Sequence, residues 1–94
     1  MHVMVVTMQV DDTRSTEVDR HLREDVRGWA ARQPGFQGGQ WIRLPGTDRA
    51  FGLVTFESAE QAEVSAQGPR AQPRVEGRAW NTESVEVFEV IAHA

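Results

Sequence analysis

One histidine in the sequence has the neighbours that acid–base chemistry needs. His21 stands beside Leu22 at the edge of a helical apolar stripe, and Asp25 follows four positions later. Side chains four positions apart share one face of a helix, so the carboxylate can pair with the imidazole. A histidine at the rim of a pocket can donate or accept a proton near neutral pH. A partly solvated surface pair is the competing interpretation, so His21 is a candidate for catalysis and the catalytic group stays unknown.

The other residues with reactive side chains form no familiar catalytic or metal-binding pattern. The chain has no cysteine, and its remaining histidines, His2 and His93, lie outside any H-x-x-x-H or H-E-x-x-H spacing. These two could share one rim if the first and last strands pair, but two exposed terminal histidines are the plainer interpretation. The stretch "GFQGGQ" (35–40) lacks both the lysine and the spacing of a phosphate-binding loop. We therefore expect neither a metal site nor a cofactor.

Three tryptophans are many for a chain of 94 residues. Trp29 belongs to the apolar stripe of the first predicted helix, which favours a place in the core. Trp41 lies on the second predicted strand, and Trp80 follows an irregular segment. Tryptophans that face a gap suit a flat aromatic ligand. Packing in a core or an interface is the commoner use of this side chain, so both interpretations stay open.

Charge and hydropathy exclude several classes of protein. The net charge is −4, which argues against a nucleic-acid partner, because such proteins carry a basic face. No stretch approaches the roughly 20 apolar residues that span a bilayer. The apolar N-terminus lacks the charged region and the cleavage site of a signal peptide. We therefore expect a cytoplasmic protein without a membrane partner.

Hydrophobic periodicity predicts four strands and two helices. The strands are predicted at 2–10, 36–44, 50–58 and 82–92, and the helices at 16–32 and 59–67. Pro34 and Gly35 end the first helix, and Gly38 and Gly39 bend the second strand. A strand–helix–strand unit occurs twice, which is typical of the ferredoxin-like α+β fold with a four-stranded antiparallel sheet. We expect residues 1–94 to form one such domain.

In that fold the helices cover only one face of the sheet, and the first and third strands lie at its centre. Both predicted central strands are apolar on two faces. If Met4, Val6, Met8, Phe51 and Leu53 share the uncovered face, they form an apolar patch of a kind that monomers rarely expose. A second copy of the chain would bury this patch, and a small core gains stability that way. We therefore predict a homodimer.

The second predicted helix has a slight apolar face, made of Ala59, Ala62 and Ala66. A helix with such small side chains either packs very closely on the sheet or leaves space beneath itself. The second alternative predicts a pocket beneath residues 59–67.

Three short segments support a resemblance to a known family. They are "PGFQGG" (34–39) after the first helix, "TFES" (55–58) at the end of the third strand and "SAEQAE" (58–63) at the start of the second helix. With these elements, nearly the whole chain resembles the antibiotic biosynthesis monooxygenase-like (ABM) family of dimeric α/β barrels. The resemblance implies a homodimer whose sheets close into a barrel, with a ligand pocket between sheet and helices in each subunit. The pocket residues it implies are Thr7, His21, Phe56, Trp41 and Trp80.

Members of that family include cofactor-independent monooxygenases that form quinones, and haem-degrading enzymes. The haem-degrading members carry an asparagine on the first strand, a tryptophan on the third and a histidine on the second helix. Thr7 and Phe56 stand at the matching strand positions, and residues 59–67 contain no histidine, which argues against haem cleavage.

The resemblance therefore favours a monooxygenase-like protein that acts on a small aromatic or polyketide-derived molecule without metal or flavin. A small-molecule binder without catalysis, or a purely structural dimeric barrel, is the alternative. The quinone-forming members use tyrosine and tryptophan near the substrate, and this chain has no tyrosine.

Overall fold

A computed structural model describes residues 1–94, which form four strands and two helices. The strands are β1 (His2–Val10), β2 (Phe36–Arg43), β3 (Arg49–Phe56) and β4 (Trp80–Glu89). The first helix follows a short 3-10 turn, Asp12–Arg14, and has three consecutive segments: Ser15–His21, Leu22–Val26 and Arg27–Ala31. The second helix is Ala59–Ala71. The order of the elements agrees with the prediction.

The four strands form one antiparallel sheet in the order β2-β3-β1-β4. β1 and β3 therefore occupy the centre, as their two-sided apolar pattern predicts. The ferredoxin-like α+β fold class is confirmed. Neither helix is long and apolar enough to cross a membrane.

The two faces of the sheet carry different side chains from those we expected. Met4 and Met8 are 1% and 5% exposed and face the helices. Val5 and Leu53 are paired neighbours on the opposite face, together with Phe51. The predicted patch is therefore wrong, because it combined residues from both faces. A strand that is apolar on both sides gives no signal for which side meets the helices.

The face that no helix covers, which we call the open face, carries a group of apolar side chains beside polar ones such as Glu86 and Gln40. Val5 and Leu53 lie at its centre, and Ile42 and Phe88 on the two edge strands are 48% and 46% exposed. Because strand neighbours share a face, the apolar side chains of the open face are Val3, Val5, Ile42, Phe51, Leu53 and Phe88.

Side chains accept hydrogen bonds from the backbone at the start of the 3-10 turn and at the start of the second helix. The Asp11 carboxylate accepts a hydrogen bond from the backbone N–H of Thr13 at 3.0 Å. The Ser58 hydroxyl accepts a hydrogen bond from the backbone N–H of Gln61 at 3.2 Å and so caps the N-terminus of the second helix. The second helix extends past its predicted end to Ala71, with Pro69 in its last turn. This extension places Gly68 and Pro69 beside a cavity between the sheet and the helices.

Candidate functional site

A cavity of ≈ 270 Å³ lies between the helix side of the sheet and the two helices. The first helix forms its roof, the sheet forms its floor, and the end of the second helix and the start of β4 close one side. Its walls are mostly apolar, with a few polar groups from the helices and β4. The lining residues are Met4, Val6, Met8, His21, Leu22, Asp25, Val26, Trp29, Trp41, Val54, Gly68, Pro69, Gln72, Trp80 and Thr82.

The first helix changes its geometry where it meets the cavity. Residues Leu22–Val26 form a π-helical turn, and the backbone N–H of Arg27 donates to the carbonyl of Leu22, five residues back. Such turns are rare and often occur at functional sites. The sequence predicted one regular helix over this range, so the wide turn was missed. Hydrophobic spacing does not reveal it, because residues 18, 22, 26 and 29 fit an ordinary helix equally well.

His21 and Asp25 form the polar part of the roof. The Nδ1 atom of His21 lies 3.0 Å from the Oδ2 atom of Asp25. An ionised carboxylate can only accept, so the hydrogen lies on Nδ1 and Nε2 is the nitrogen left for a ligand. The side chain of His21 is 20% exposed and that of Asp25 is 71% exposed, so the pair lies at the boundary between cavity and solvent. His21 thus forms the predicted pair with Asp25, and this pair lies at the edge of a cavity.

The imidazole of His21 is one layer of a stack. Its ring lies 3.8 Å from the ring of Trp80, centroid to centroid, at an interplanar angle of 16°. The guanidinium of Arg78 lies 5.1 Å from the Trp80 ring, which is a cation–π distance. The stack fixes the orientation of the histidine ring from the side of β4, and Asp25 fixes it from the helix.

The loop before β4 is tied down by one buried amide. Asn81 is 6% exposed, and its side chain accepts from the backbone N–H of Val75 at 2.8 Å and donates to the Val75 carbonyl at 3.1 Å. Its oxygen also accepts from Arg78 at 3.1 Å. A buried amide with its hydrogen bonds satisfied is a rigid anchor. Asn81 therefore holds in place the loop that carries Arg78 against Trp80.

Glycines create the space in which two of the tryptophans lie. A Cβ atom on Gly52 would lie 2.9 Å from Nε1 of Trp41, and one on Gly39 would lie 3.0 Å from its Cη2. A Cβ on Gly68 would lie 3.3 Å from Cζ2 of Trp29. All of these distances are shorter than ordinary carbon contacts of about 3.5–4.0 Å. The indole of Trp41 thus lies flat on the sheet because two neighbouring positions have no side chain.

The structure brings some of the predicted pocket residues together and not others. His21, Trp41 and Trp80 line the cavity. Thr7 does not, because it pairs with Phe51 on the open face. Phe56 does not either, because it is 0% exposed in the core. The assignment of Thr7 and Phe56 to the pocket is therefore corrected: strand alternation places the first on the wrong face, and close packing encloses the second.

The alanine face of the second helix packs tightly and leaves no pocket beneath residues 59–67. Ala62 and Ala66 are 0% exposed and pack in one cluster with Phe56 and Met4. The space lies further along, beneath the last turn of this helix and the first helix. Trp29, predicted to be core, lines that space as a third tryptophan.

Hydrogen bonds shift the pKa values of three groups near the start of the first helix. Hydrogen bonds from the hydroxyl and backbone N–H of Thr13 hold the pKa of Asp11 below its ordinary value. The side-chain hydrogen bond between Arg14 and Glu17 lowers the pKa of the carboxyl and raises that of the guanidinium. No three acidic or histidine side chains are grouped as metal ligands would be. The polar groups available in the cavity are therefore the His21 imidazole with its carboxylate partner, Gln72 and Thr82, among aromatic and aliphatic walls.

Several solved structures are similar to this chain. The haem-degrading protein MhuD of Mycobacterium tuberculosis, solved with two haems bound in its active site, is 23% identical with a TM-score of 0.75, over 100% of this chain and 99% of that chain. A Streptomyces coelicolor monooxygenase from the gene ActVA-Orf6, in complex with nanaomycin D, is 18% identical with a TM-score of 0.66, over 99% and 89%. An EthD-family protein of Bacillus halodurans is 11% identical with a TM-score of 0.61, over 97% and 100%.

No protein-family model matches the chain, and no curated protein matches it either. At these identities the structural similarity defines the fold. The chain has the ABM-like α+β fold, which agrees with the family resemblance seen in the sequence.

Proposed function

We propose that this chain binds a small aromatic or polyketide-type molecule in the cavity and oxygenates it without metal or flavin. The observation that carries the proposal is the cavity itself: three tryptophans surround it, and one histidine with a carboxylate partner lies on its roof. Ligand pockets of proteins are typically apolar with a few polar groups and occupy roughly 300–1,000 Å³. A cavity of ≈ 270 Å³ suits a compact ring system and is small for a tetrapyrrole.

The reaction that fits these groups is oxidation of an acidic methylene to a carbonyl. The substrate loses a proton to Nε2 of His21, and the resulting carbanion gives one electron to dioxygen. Recombination of the two radicals forms a carbon–oxygen bond, and loss of water from the peroxide leaves the carbonyl. The balance is R₂CH₂ + O₂ → R₂CO + H₂O, so no external reductant is required.

Asp25 supports this role of His21. Its carboxylate stabilises the imidazolium that forms when Nε2 takes the proton, and it keeps the ring in one tautomer. General-base catalysis of this kind contributes roughly 10²–10⁴-fold to a rate. The apolar walls exclude water, which leaves the anion available to oxygen instead of to reprotonation.

A binder without catalysis is the alternative, and one observation favours it. On the cavity side β1 presents only Met4, Val6 and Met8, so this strand supplies no polar group to stabilise a substrate anion. A purely structural barrel is disfavoured, because it requires side chains to fill the cavity. Haem cleavage is likewise disfavoured, since the second helix contributes Gly68 and Pro69 to the cavity, with Gln72 directly after it, and no histidine.

We further propose that the single domain works as a homodimer that pairs through the open face. The side chains at its centre, Val5 and Leu53, are uncovered by any helix, while Ile42 and Phe88 are about half exposed. Apolar patches of this kind mark interfaces. Pairing two such sheets would give the barrel that the sequence resemblance implies.

Anthrone tests the proposed reaction, because its acidic methylene becomes the second carbonyl of anthraquinone. Oxygen uptake and quinone absorbance would be measured with the wild-type protein, with His21→Gln and Asp25→Asn, and with His93→Gln as a histidine control outside the cavity. We expect a rate above buffer that falls about 100-fold or more in His21→Gln, falls less in Asp25→Asn and is unchanged in His93→Gln.

The outcomes separate the two functions. Binding of anthrone by calorimetry without oxygen uptake would replace the enzyme with the binder. Neither binding nor uptake would refute an aromatic ligand altogether. A rate that His21→Gln leaves unchanged would remove His21 from the mechanism.

A further inference from the structure

A second groove, of ≈ 510 Å³, lies between the first helix and β2 on the other side of the cavity wall. Three arginines line it: Arg23 and Arg27 on the helix and Arg43 on the strand. Asp19 is the one acidic residue in the lining. Three positive charges and one negative charge leave the groove with a local charge of +2, in a chain whose net charge is −4.

All three arginines have guanidinium N–H groups without a hydrogen-bond partner in the protein. Asp19 binds Arg43, whose Nε is buried and has no hydrogen-bond partner. The two helix arginines are exposed and make neither an ion pair nor a side-chain hydrogen bond. Like charges four positions apart on a helix are destabilising by a few tenths of a kcal/mol. The two guanidinium groups repel each other when no ligand is bound. An anion that lies between them would replace this repulsion with attraction.

The groove meets the cavity at two side chains. Leu22 and Trp41 line both spaces, so a molecule that lies against Trp41 in the cavity has the groove beside it. Gly39 also lines the groove, and its lack of a side chain keeps the backbone of β2 open next to the indole. The two spaces can therefore hold two parts of one ligand.

We infer that the groove is an anion site for a carboxylate, and that the ligand of the proposed function is a small aromatic acid. Guanidinium groups bind carboxylates through two parallel hydrogen bonds, which gives both affinity and orientation. The exposed carboxylate of Asp25 repels an acid group at the cavity mouth and so favours the groove for it. This inference rests on the proposed function and specifies that its aromatic ligand carries a negative charge.

The test compares 2-naphthoate with 2-naphthamide, which has nearly the same shape and no charge. Isothermal titration calorimetry would measure the Kd of each for three proteins. They are the wild type, the double variant Arg23→Gln/Arg27→Gln, and the control Arg20→Gln/Arg32→Gln. The control removes the same charge at exposed positions outside both spaces, one on the same helix and one directly after its end.

Wild type and control should bind 2-naphthoate at least about tenfold more tightly than the amide, as charge-assisted hydrogen bonds provide. The groove variant should bind the two compounds equally. Equal Kd values in the wild type, or a preference that survives in the groove variant, would overturn the acid site and leave the aromatic pocket intact. Absence of binding by both compounds would overturn the acid site and the proposed function together.

Discussion

The flat position of Trp41 makes Gly52 the most informative position to change. In Gly52→Ala the new Cβ would lie 2.9 Å from Nε1 and 3.0 Å from Cδ1 of the indole, and 3.7 Å from Cβ of Val6. An ordinary contact needs about 3.5–4.0 Å, so the ring must move by about 0.5–1 Å. Gly52 is buried on the helix side of the sheet, so the indole moves towards the cavity.

The size of the effect follows from two opposing contributions. Overpacking a well-packed site costs about 1–3 kcal/mol. Replacing glycine by alanine also reduces the entropy of the unfolded chain, which returns about 0.4–1 kcal/mol. We expect Gly52→Ala to lower the free energy of unfolding by about 1.3 kcal/mol, the difference between the midpoints of these two ranges. For a domain of this size each kcal/mol lowers Tm by about 4–8 °C.

Gly38→Ala is the matched control, because no atom lies within 4 Å of a Cβ placed there. Urea unfolding followed by circular dichroism measures the free energy of unfolding. Isothermal titration calorimetry with 2-naphthamide measures the Kd for binding in the cavity. Gly52→Ala should weaken binding of the amide, whereas Gly38→Ala should leave it unchanged. In a Trp41→Ala background the cost of Gly52→Ala should fall below about 0.5 kcal/mol, since both clashing ring atoms, Nε1 and Cδ1, are absent.

Equal stability and equal binding of Gly52→Ala and Gly38→Ala would refute the reasoning. A cost that persists unchanged in the Trp41→Ala background would also refute it, because the penalty would then come from the backbone and not from the indole.

Two further predictions concern assembly and pH. Leu53→Arg places a charge at the centre of the open face, so light scattering at micromolar concentration should show a monomer for this variant and a dimer for the wild type; a monomeric wild type would contradict the proposed interface. Asp11→Asn should lower Tm at pH 7, because the hydrogen bonds from Thr13 favour the ionised carboxylate. The folded-state pKa of Asp11 lies below its unfolded value, so this stabilisation is present above the unfolded value and is lost as pH falls through the folded one. The Tm difference should therefore shrink below about pH 4 and vanish at lower pH, and a difference that stays constant from pH 7 to pH 3 would contradict the assignment.

The order of the elements could be predicted because each has a local cause. Pro34 and Gly35 stop the first helix without any help from distant segments. Ser58 caps the second helix with its own hydroxyl. The central position of β1 and β3 could also be predicted from the sequence. Their side chains are apolar on both faces, a pattern that favours central strands over edge strands. These signals need no knowledge of tertiary contacts.

The positions of Thr7 and Phe56 could not be predicted, because they depend on contacts between distant segments. Alternation along β1 separates Thr7 from Met8, but it does not say which of the two meets the helices. The alanine face of the second helix was compatible with a gap or with close contact. Ala62 and Phe56, both 0% exposed, show close contact there. The cavity lies beside the last turn of the helix, which extends beyond its predicted end to Ala71.

The first helix explains why the cavity and the groove belong to one site. His21 and Asp25 lie on the cavity side of this helix, while Arg23 and Arg27 lie on the groove side, within seven consecutive residues. The π-helical turn begins at Leu22, which lines both spaces. A ligand held by its acid group in the groove therefore reaches the cavity past Leu22 and presents its ring to the histidine from a fixed direction. Orientation of this kind supplies much of the rate in a reaction that depends on one base, because it replaces a chance encounter with a held geometry.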